Sequence, residues 1–248
     1  KIEHKTKPQI LVAGCGTGQH AIVTASRFRN CKVLALDLSM PSLAYAKRKT
    51  KELNLFNIDY IQADILNLSQ LTRKFDIVES GGVLHHMNNP MEGWRILTDC
   101  LKTGGLMKIG LYSEFARNDI RIVREEISKL SLTSDIHSMR QFRSKLLRSK
   151  LSHHKRIVKS PDFYSMSQFR DLLFHVKEHR FTIPEIEKYI KELGLEFCGF
   201  EDENIIRDFK LSYGENNDLF NLNKWAVFEK ANPSTFRNMY QFWCQKIS

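Results

Sequence analysis

The hydrophobic positions of this 248-residue chain follow two recurring patterns. Short, continuous apolar runs indicate buried β-strands, and apolar residues spaced three and four positions apart indicate amphipathic helices. The first pattern predicts strands near residues 9–13, 32–37, 58–63, 75–79, 105–112, 195–200 and 224–230. The second predicts helices near 18–29, 41–54, 90–102, 115–131, 138–151, 166–179, 183–193, 203–214 and 233–243. Alternation of strands with helices is typical of an α/β fold.

The most informative stretch follows the first strand and reads ILVAGCGTGQHA over residues 10–21. Gly14, Gly16 and Gly18 crowd a turn there, and glycine lets a ligand lie directly against the backbone. The helix that begins next points its free N–H groups at the same place. A dinucleotide fingerprint would need its third glycine at position 19, where the chain has Gln19. The spacing therefore favours a cofactor without a pyrophosphate, and S-adenosylmethionine fits that description.

Acidic residues follow the next two strands. Asp37 ends the second strand, where a carboxylate can accept hydrogen bonds from both hydroxyls of a ribose. Helix capping is the alternative role for Asp37, but Ser39 fits that role better because Pro41 then falls in the first helical turn. Asp64 ends the third strand and can accept from an adenine amino group, with Ile65 as an apolar wall. Ligands of open α/β sheets bind at this carboxyl edge.

Five strings in a fixed order now resemble the class I S-adenosylmethionine-dependent methyltransferases. They are LVAGCGTGQHA, VLALDLS, QADI, FDIVESGGVLHHM and LKTGGLMKIGLYS, and they span residues 9–113. One departure is Val12, because many members carry an acidic residue two positions before the first glycine. At a finer level, the strings LxAGCGTGQH, GVLHHM, KIGLYSEFAR and MYQFW resemble a bacterial subgroup. That subgroup includes methyltransferases joined to helical-repeat proteins and enzymes that methylate lysines of bacterial surface proteins.

The resemblance implies a Rossmann-like fold. We expect a seven-stranded, mostly parallel sheet with helices on both faces, an antiparallel closing strand, and a helical insert between strands five and six. Within a single domain of residues 1–248, residues 1–112 would bind the cofactor and 113–181 would form a substrate or lid insert. Residues 182–248 would supply the closing helix, the last strands and a C-terminal helix. The chain begins with Lys1 close to the first strand, so we also expect it to be a piece of a longer protein.

The resemblance implies S-adenosylmethionine as the cofactor and S-adenosylhomocysteine as its product. The predicted cofactor-binding residues are Gly14, Cys15, Gly16, Thr17, Gly18, His20, Asp37, Leu38, Ser39, Asp64, Ile65, Ser80, Gly81 and Val83. No metal site is predicted, because the five cysteines are unevenly spaced and lack a CxxC pair. The same cysteine pattern favours a reducing, cytoplasmic environment. No apolar run approaches the ~20 residues that a membrane-spanning helix needs.

Candidate catalytic residues follow strands four and five. His85, Tyr112 and Glu114 could orient an acceptor amine, and His86 is a neighbour of the same type. The alternatives are a structural histidine and an ordinary pair of polar residues at a strand end. The loop ESGGVLHHM lacks the Asn/Asp-Pro-Pro-Tyr and Pro-Cys sequences of base-methylating enzymes, so a nucleic-acid substrate is disfavoured.

The net charge of +10 is concentrated in the predicted insert, where residues 115–160 hold 12 Lys or Arg against four Asp or Glu. This excess indicates either an acidic partner surface or a solvated rim. The leading prediction is methyl transfer to lysine side chains of an acidic or extended protein. The alternatives are a small-molecule acceptor and a non-catalytic docking module of a larger protein.

Overall fold

The strands of this protein form one mixed sheet. A computed structural model describes residues 7–28, 30–174, 177–214 and 217–247. Its strands are β1 (Gln9–Ala13), β2 (Lys32–Asp37), β3 (Ile58–Gln62), β4 (Phe75–Gly81), β5 (Leu101–Leu111), β6 (Leu195–Phe200) and β7 (Tyr240–Lys246). They lie in the order β3-β2-β1-β4-β5-β7-β6, and β7 is antiparallel to both of its neighbours. The predicted seven-stranded, Rossmann-like sheet with an antiparallel closing strand is confirmed.

Helices cover both faces of the sheet. Among the described residues, the α-helices are α1 (Gln19–Arg27), α2 (Met40–Glu52), α3 (Pro90–Asp99), α4 (Asn118–Lys129), α5 (Ile136–Arg148), α6 (Ser152–Val158), α7 (Met166–Phe174), α8 (Ile183–Glu192), α9 (Glu203–Tyr213) and α10 (Leu222–Ala231). Successive residues of β1 point to opposite faces, because side chains alternate along a strand. Ile10 and Val12 therefore pack with α1 and α2, whereas Leu11 and Ala13 pack in the larger core with α3 and α8.

The order of the strands creates a crevice beside β1. The chain runs from β1 outward through β2 and β3, then crosses back to form β4 and β5 on the other side of β1. Loops that leave the carboxyl ends of β1 and β4 therefore diverge, and ligands of open α/β sheets bind at such a switch point.

Two of the predicted elements near the end of the chain are wrong. Residues 224–230 lie in helix α10 instead of a strand, and the last strand is β7 rather than a helix over 233–243. Asn221 caps α10 by accepting from the Lys224 N–H, and the buried Trp225 and Phe228 lie three positions apart, as in a helix. In β7, by contrast, Tyr240, Phe242 and Cys244 are buried alternately, which is the period of a strand.

Between β5 and α8 the chain forms a helical insert with its own apolar core. Val123, Phe142, Ile157 and Phe169 come from α4, α5, α6 and α7 and belong to one cluster, which is separate from the clusters of the sheet. Helix α6 was not among the predicted elements. The prediction for 166–179 includes residues 175–176, which lie outside the described residues; α7 itself ends at Phe174.

The two ends of the insert meet next to the sheet. Ser113 and Phe181 form a parallel bridge, and the Phe181 N–H donates to the Tyr112 carbonyl at 2.8 Å. Arg117 and Arg124 of the insert both pair with the buried carboxylate of Glu178. None of the described helices combines the length and apolarity that crossing a bilayer would require.

Candidate functional site

The turn after β1 exposes bare backbone toward the crevice. The N–H groups of Gly14 and Cys15 both donate to the Leu36 carbonyl, at 2.8 and 2.9 Å, and this anchors the turn to β2. Gly14 has φ +74°, and a Cβ there would lie 2.1 Å from Cγ2 of Val83. Gly16 has φ +53°, but a Cβ there would meet nothing within 4 Å. Val83 thus packs against the turn at Gly14, whereas the backbone of Gly16 faces open space.

Asp37 is held by the glycine turn itself. Its Oδ2 accepts from the Gly16 N–H at 2.7 Å, and its Oδ1 accepts from the Ser39 N–H at 2.9 Å. An ionised carboxylate has about four acceptor positions, so two remain for other donors. Ser39 caps α2 by accepting from the Ser42 N–H, as its position before Pro41 predicted. Asp37 is therefore oriented by backbone donors and retains acceptor capacity.

The predicted pair after β3 lies farther along the same edge. Asp64 accepts from the Leu66 N–H at 2.9 Å and so begins a 3₁₀ turn over Ile65–Gln70. Ile65 is only 4% exposed and packs in the main core, whereas Leu38 beside Asp37 is 66% exposed. The exposed apolar surface at this edge therefore comes from Leu38 rather than Ile65.

A cavity of about 520 Å³ lies against the turn. It is lined by six of the predicted cofactor residues together with side chains from β5 and β7, namely Gly14, Cys15, Gly16, Thr17, His20, Gly81, Lys108 and Gln241. Gly18 packs its backbone against Ala46 of α2, and Ser80 is buried. Burial, together with the charge of Asp37, raises the pKa of Cys15 to about 12, so its thiol stays protonated. Cys15 fills space and is not a nucleophile.

Sequence reasoning missed one buried carboxylate at this site. Glu79 of β4 pairs in register with Val12 of β1 and is only 5% exposed. The Thr24 hydroxyl donates to its Oε2 at 3.0 Å, and Nε2 of His20 lies 3.4 Å from the same atom. Glu79 therefore supplies a carboxylate beside the position where Val12 departs from the family pattern. The signal for it was a second charge, after that of Asp76, within the short strand-like run FDIVE.

His85 and Tyr112 lie together, as their strand-end positions predicted. Their ring centroids are 3.8 Å apart, His85 is fully buried, and the Arg117 guanidinium lies 3.6 Å from the Tyr112 ring centroid. Burial raises the pKa of Tyr112, although the charge of Arg117 opposes this, so the phenol keeps its proton at neutral pH. Glu114 lies elsewhere: its carboxylate accepts from Arg180 Nε at 2.8 Å and its side chain is 43% exposed.

A second cavity, of about 360 Å³, lies between the insert and the sheet. Its charged lining residues are Arg117, Asp119, Arg156, Lys159, Asp162 and Arg237. Tyr112 and Met239 also line it, and Met239 packs close to Gly110 at the end of β5. These cations come from distant parts of the chain, so no local pattern could have grouped them.

The residues of the turn fit an adenosyl cofactor. Added Cβ atoms at Gly16 and Gly81 would meet no atom within 4 Å, so both backbones face open space in the 520 Å³ cavity. Close approach to bare backbone is what a nucleoside-type ligand needs at this position. The acceptor positions left on Asp37 match the two hydroxyls of a ribose.

Comparisons with known proteins agree with this geometry. Residues 10–105 match the family model described as "Methyltransferase domain". An uncharacterized protein of Synechococcus sp. is 27% identical over 234 residues, which cover 90% of this chain and 56% of the relative. A malonyl-[acyl-carrier protein] O-methyltransferase of Paenibacillus sp. is 29% identical over 102 residues, which cover 40% of this chain and 37% of the relative.

Among solved structures, PKMT2 from Rickettsia typhi in complex with AdoHcy has a similar fold. It aligns with a TM-score of 0.69 and 15% identity over 97% of this chain, insert included, and 49% of PKMT2. The chain thus spans about half the length, or less, of the relatives described above.

Proposed function

We propose that this chain, which belongs to the class I S-adenosylmethionine-dependent methyltransferases, transfers the methyl group of that cofactor to lysine side chains of a protein substrate. The observation that carries the proposal is the junction between the glycine turn and Asp37. There the Gly16 N–H holds a half-buried carboxylate 2.7 Å away, next to backbone that is open to solvent.

The chain's own residues divide the binding of the cofactor among them. Asp37 accepts the ribose hydroxyls, Leu38 covers the adenine, and Asp64 accepts from the adenine amino group. Gly16 and Gly81 permit close approach of the amino-acid part, beside His20 and Glu79. When bound, the cofactor supplies an electrophilic methyl group on a sulfonium, so the chain's tasks are to align the acceptor and exclude water.

A lysine acceptor must lose its proton before it can attack, because its solution pKa is about 10.4. Burial beneath the insert disfavours the ammonium form, so the lysine releases its proton to solvent as it enters the site. Tyr112, which lines the cavity beneath the insert, orients the neutral amine with its protonated phenol as a hydrogen-bond partner, and the buried His85 positions the Tyr112 ring. Glu114 contributes indirectly, by fixing Arg180 at the return of the insert.

Support for a protein lysine comes from two sources. The strings GVLHHM and KIGLYSEFAR resemble those of enzymes that methylate lysines of bacterial surface proteins. The insert is also strongly basic and exposes Arg140, Lys145 and Arg148 along α5, a surface that suits an acidic or extended protein. Nucleic acid remains the disfavoured substrate.

A small anionic acceptor is the second candidate. Of the four cationic residues that line the 360 Å³ cavity beside Tyr112, Arg156 pairs with Asp119 and Arg117 with Glu178. The other two, Lys159 and Arg237, suit a carboxylate. A cavity of this size matches a small molecule better than a polypeptide.

Calorimetry with S-adenosylhomocysteine tests the cofactor site. Asp37→Asn should weaken binding about 10- to 100-fold, because hydrogen bonds to a charged acceptor are lost. Asp59→Asn is the matched control, since Asp59 is exposed on β3 and should leave affinity unchanged. Equal affinity in wild type and Asp37→Asn would remove the ribose assignment. If the wild type, Asp37→Asn and Asp59→Asn all fail to bind S-adenosylhomocysteine, the chain is better explained as a non-catalytic docking module.

The acceptor is tested with cofactor radiolabelled on its methyl group. The protein is incubated with host-cell extract, and labelled proteins are separated from labelled metabolites. We expect label on protein, in acid-stable methyl-lysine, and at least tenfold less of it with Asp37→Asn when the cofactor is below the wild-type Kd. Label confined to small molecules would replace the lysine proposal with the second candidate.

A further inference from the structure

Three metal-ligand side chains converge inside the helical insert, away from the crevice. Glu126 of α4 faces His153 and His154, which are consecutive residues at the start of α6. Nε2 of His153 and Nε2 of His154 each lie 3.0 Å from Glu126 Oε1, and the latter is also 3.1 Å from Oε2. The three ligand atoms all lie within 4.8 Å of one another.

These distances suit one small divalent cation. Zinc binds imidazole nitrogen and carboxylate oxygen at about 2.0–2.2 Å, which places neighbouring ligands of a tetrahedral site roughly 3.3 Å apart. The two glutamate–histidine separations of 3.0 Å would need to widen by only a few tenths of an ångström, and the two histidine ligand atoms lie within 4.8 Å of each other. A ligand set of two imidazoles and one carboxylate also favours the binding of zinc over that of magnesium or calcium.

The buried histidine is oriented for ligation by a neighbour. His154 is 1% exposed at its side chain, and its Nδ1 lies 2.7 Å from the Ser149 hydroxyl. Without an ion, Nε2–H donates to Glu126; with a cation between them, the proton moves to Nδ1, which then donates to Ser149 and leaves the Nε2 lone pair for the metal. Hydrogen bonding of the second ring nitrogen is the usual arrangement around metal-bound histidines. The side chain of His153 is 19% exposed, which gives an ion a route in.

We propose that Glu126, His153 and His154 bind Zn²⁺ and thereby join α4 to α6. Three protein ligands leave a fourth position open. A cavity lined by Glu126 and His154 together with Gln141, Lys145 and Arg148 lies beside the cluster. The two cations favour an anionic fourth ligand, such as hydroxide, chloride or a carboxylate.

This site was not predicted from the sequence. The uneven cysteines argued against zinc, and the two ligand segments are 27 residues apart with no recognised spacing. Only the packing of α4 on α6 brings them together.

Zn²⁺ itself is the probe. Metal-free protein without an affinity tag is titrated with Zn²⁺ by calorimetry, and Co²⁺ is added separately to record its visible absorption. We expect one ion per chain in the wild type and a rise in melting temperature on adding Zn²⁺. Ser149→Ala should weaken Zn²⁺ binding about 10- to 100-fold, and His153→Gln by more than that.

His137→Gln is the matched control, because His137 is an exposed histidine of α5 in the same insert. It should bind Zn²⁺ as the wild type does. Glu126→Gln should abolish the Co²⁺ spectrum; if that variant does not fold, the partly exposed His153→Gln gives the same comparison. Zn²⁺ affinity that is equal in wild type and His153→Gln, or absent in the wild type, would overturn the proposal. Binding of S-adenosylhomocysteine is expected to be unaffected in all folded variants.

Discussion

The carboxyl edge of the sheet and the helical insert use acidic side chains in different ways. At the edge, Asp37 and Asp64 accept backbone N–H groups from turns in their immediate vicinity. In the insert, Asp119 pairs with Arg156 of another helix, and Glu178 pairs with both Arg117 and Arg124. Backbone donors orient a carboxylate and leave part of it available to a ligand. Cationic partners neutralise it and fasten distant segments together.

The comparison explains why the edge of the sheet can bind a ligand, whereas the ion pairs of the insert stabilise the packing of its helices. A turn shaped by backbone hydrogen bonds presents the same donors and acceptors whatever its exposed side chains are. The insert, by contrast, depends on which side chains meet across helices. Substitutions should therefore affect ligand binding at the edge and stability in the insert.

The largest effect is expected from Glu178→Gln. The substitution keeps the size of the side chain but leaves Arg117, 5% exposed, and Arg124 without their counter-ion. Breaking a buried pair by removing one partner costs about 3–5 kcal/mol of the free energy of unfolding, measured in denaturant. The control is Glu125→Gln, whose pair with Arg121 is exposed on α4 and should be worth under about 1 kcal/mol. If Glu178→Gln and Glu125→Gln lose similar amounts of unfolding free energy, burial does not determine how much each ion pair contributes to stability.

Next in size is Gly14→Ala, with Gly104→Ala as its control. The two glycines have φ +74° and +75°, so the strain of alanine at positive φ, about 1–2 kcal/mol, is shared. Only at Gly14 would the new Cβ clash with Val83, which adds about 1–3 kcal/mol of overpacking. Binding of S-adenosylhomocysteine should be lost in Gly14→Ala and retained in Gly104→Ala. If both variants still bind S-adenosylhomocysteine, the glycine turn does not take part in binding the cofactor.

A third effect concerns a glutamate whose carboxylate accepts from two hydroxyl groups, unlike the carboxylates of the edge and of the insert ion pairs. Glu229 is fully buried, and the hydroxyls of Ser113 and Tyr240 donate to it. Burial raises the pKa of Glu229, although these hydrogen bonds oppose the shift. Its folded pKa therefore lies above the unfolded value of about 4.5, so its contribution is complete below that pH and is lost as pH rises through the folded pKa.

Glu229→Gln removes this titration while preserving a hydrogen-bonding side chain. Relative to that variant, the wild type should lose up to about 1.4 kcal/mol of unfolding free energy per pH unit above pH 4.5, until Glu229 is ionised. Denaturant unfolding at several pH values measures the difference. Parallel curves for the two proteins would show that Glu229 does not titrate in this range.

The two regions also differ in how far sequence could predict them. The glycine turn, Asp37 and the Ser39 cap involve neighbours or adjacent strands, so spacing alone located them. Glu79 accepts a hydrogen bond from Thr24, which is 55 residues away in the sequence, so no local sequence pattern could predict that contact. Trp225 and Val227 of α10 alternate as in a strand, and Tyr240 and Trp243 of β7 lie three positions apart as in a helix. The sequence prediction therefore interchanged the secondary structures of these two segments.

The smallest stability effect is expected at Tyr112, where edge and insert meet. Tyr112→Phe keeps the ring that contacts His85 and Arg117, so the free energy of unfolding should change by less than about 1 kcal/mol. Because burial keeps the phenol protonated, its role in the proposed reaction is a hydrogen bond to the acceptor, and its loss should slow methyl transfer about tenfold. Affinity for S-adenosylhomocysteine should stay constant, since Tyr112 does not line the cavity beside the glycine turn. An unchanged transfer rate would assign acceptor orientation to the insert alone, whereas weakened cofactor binding would show that the two regions are coupled through this ring.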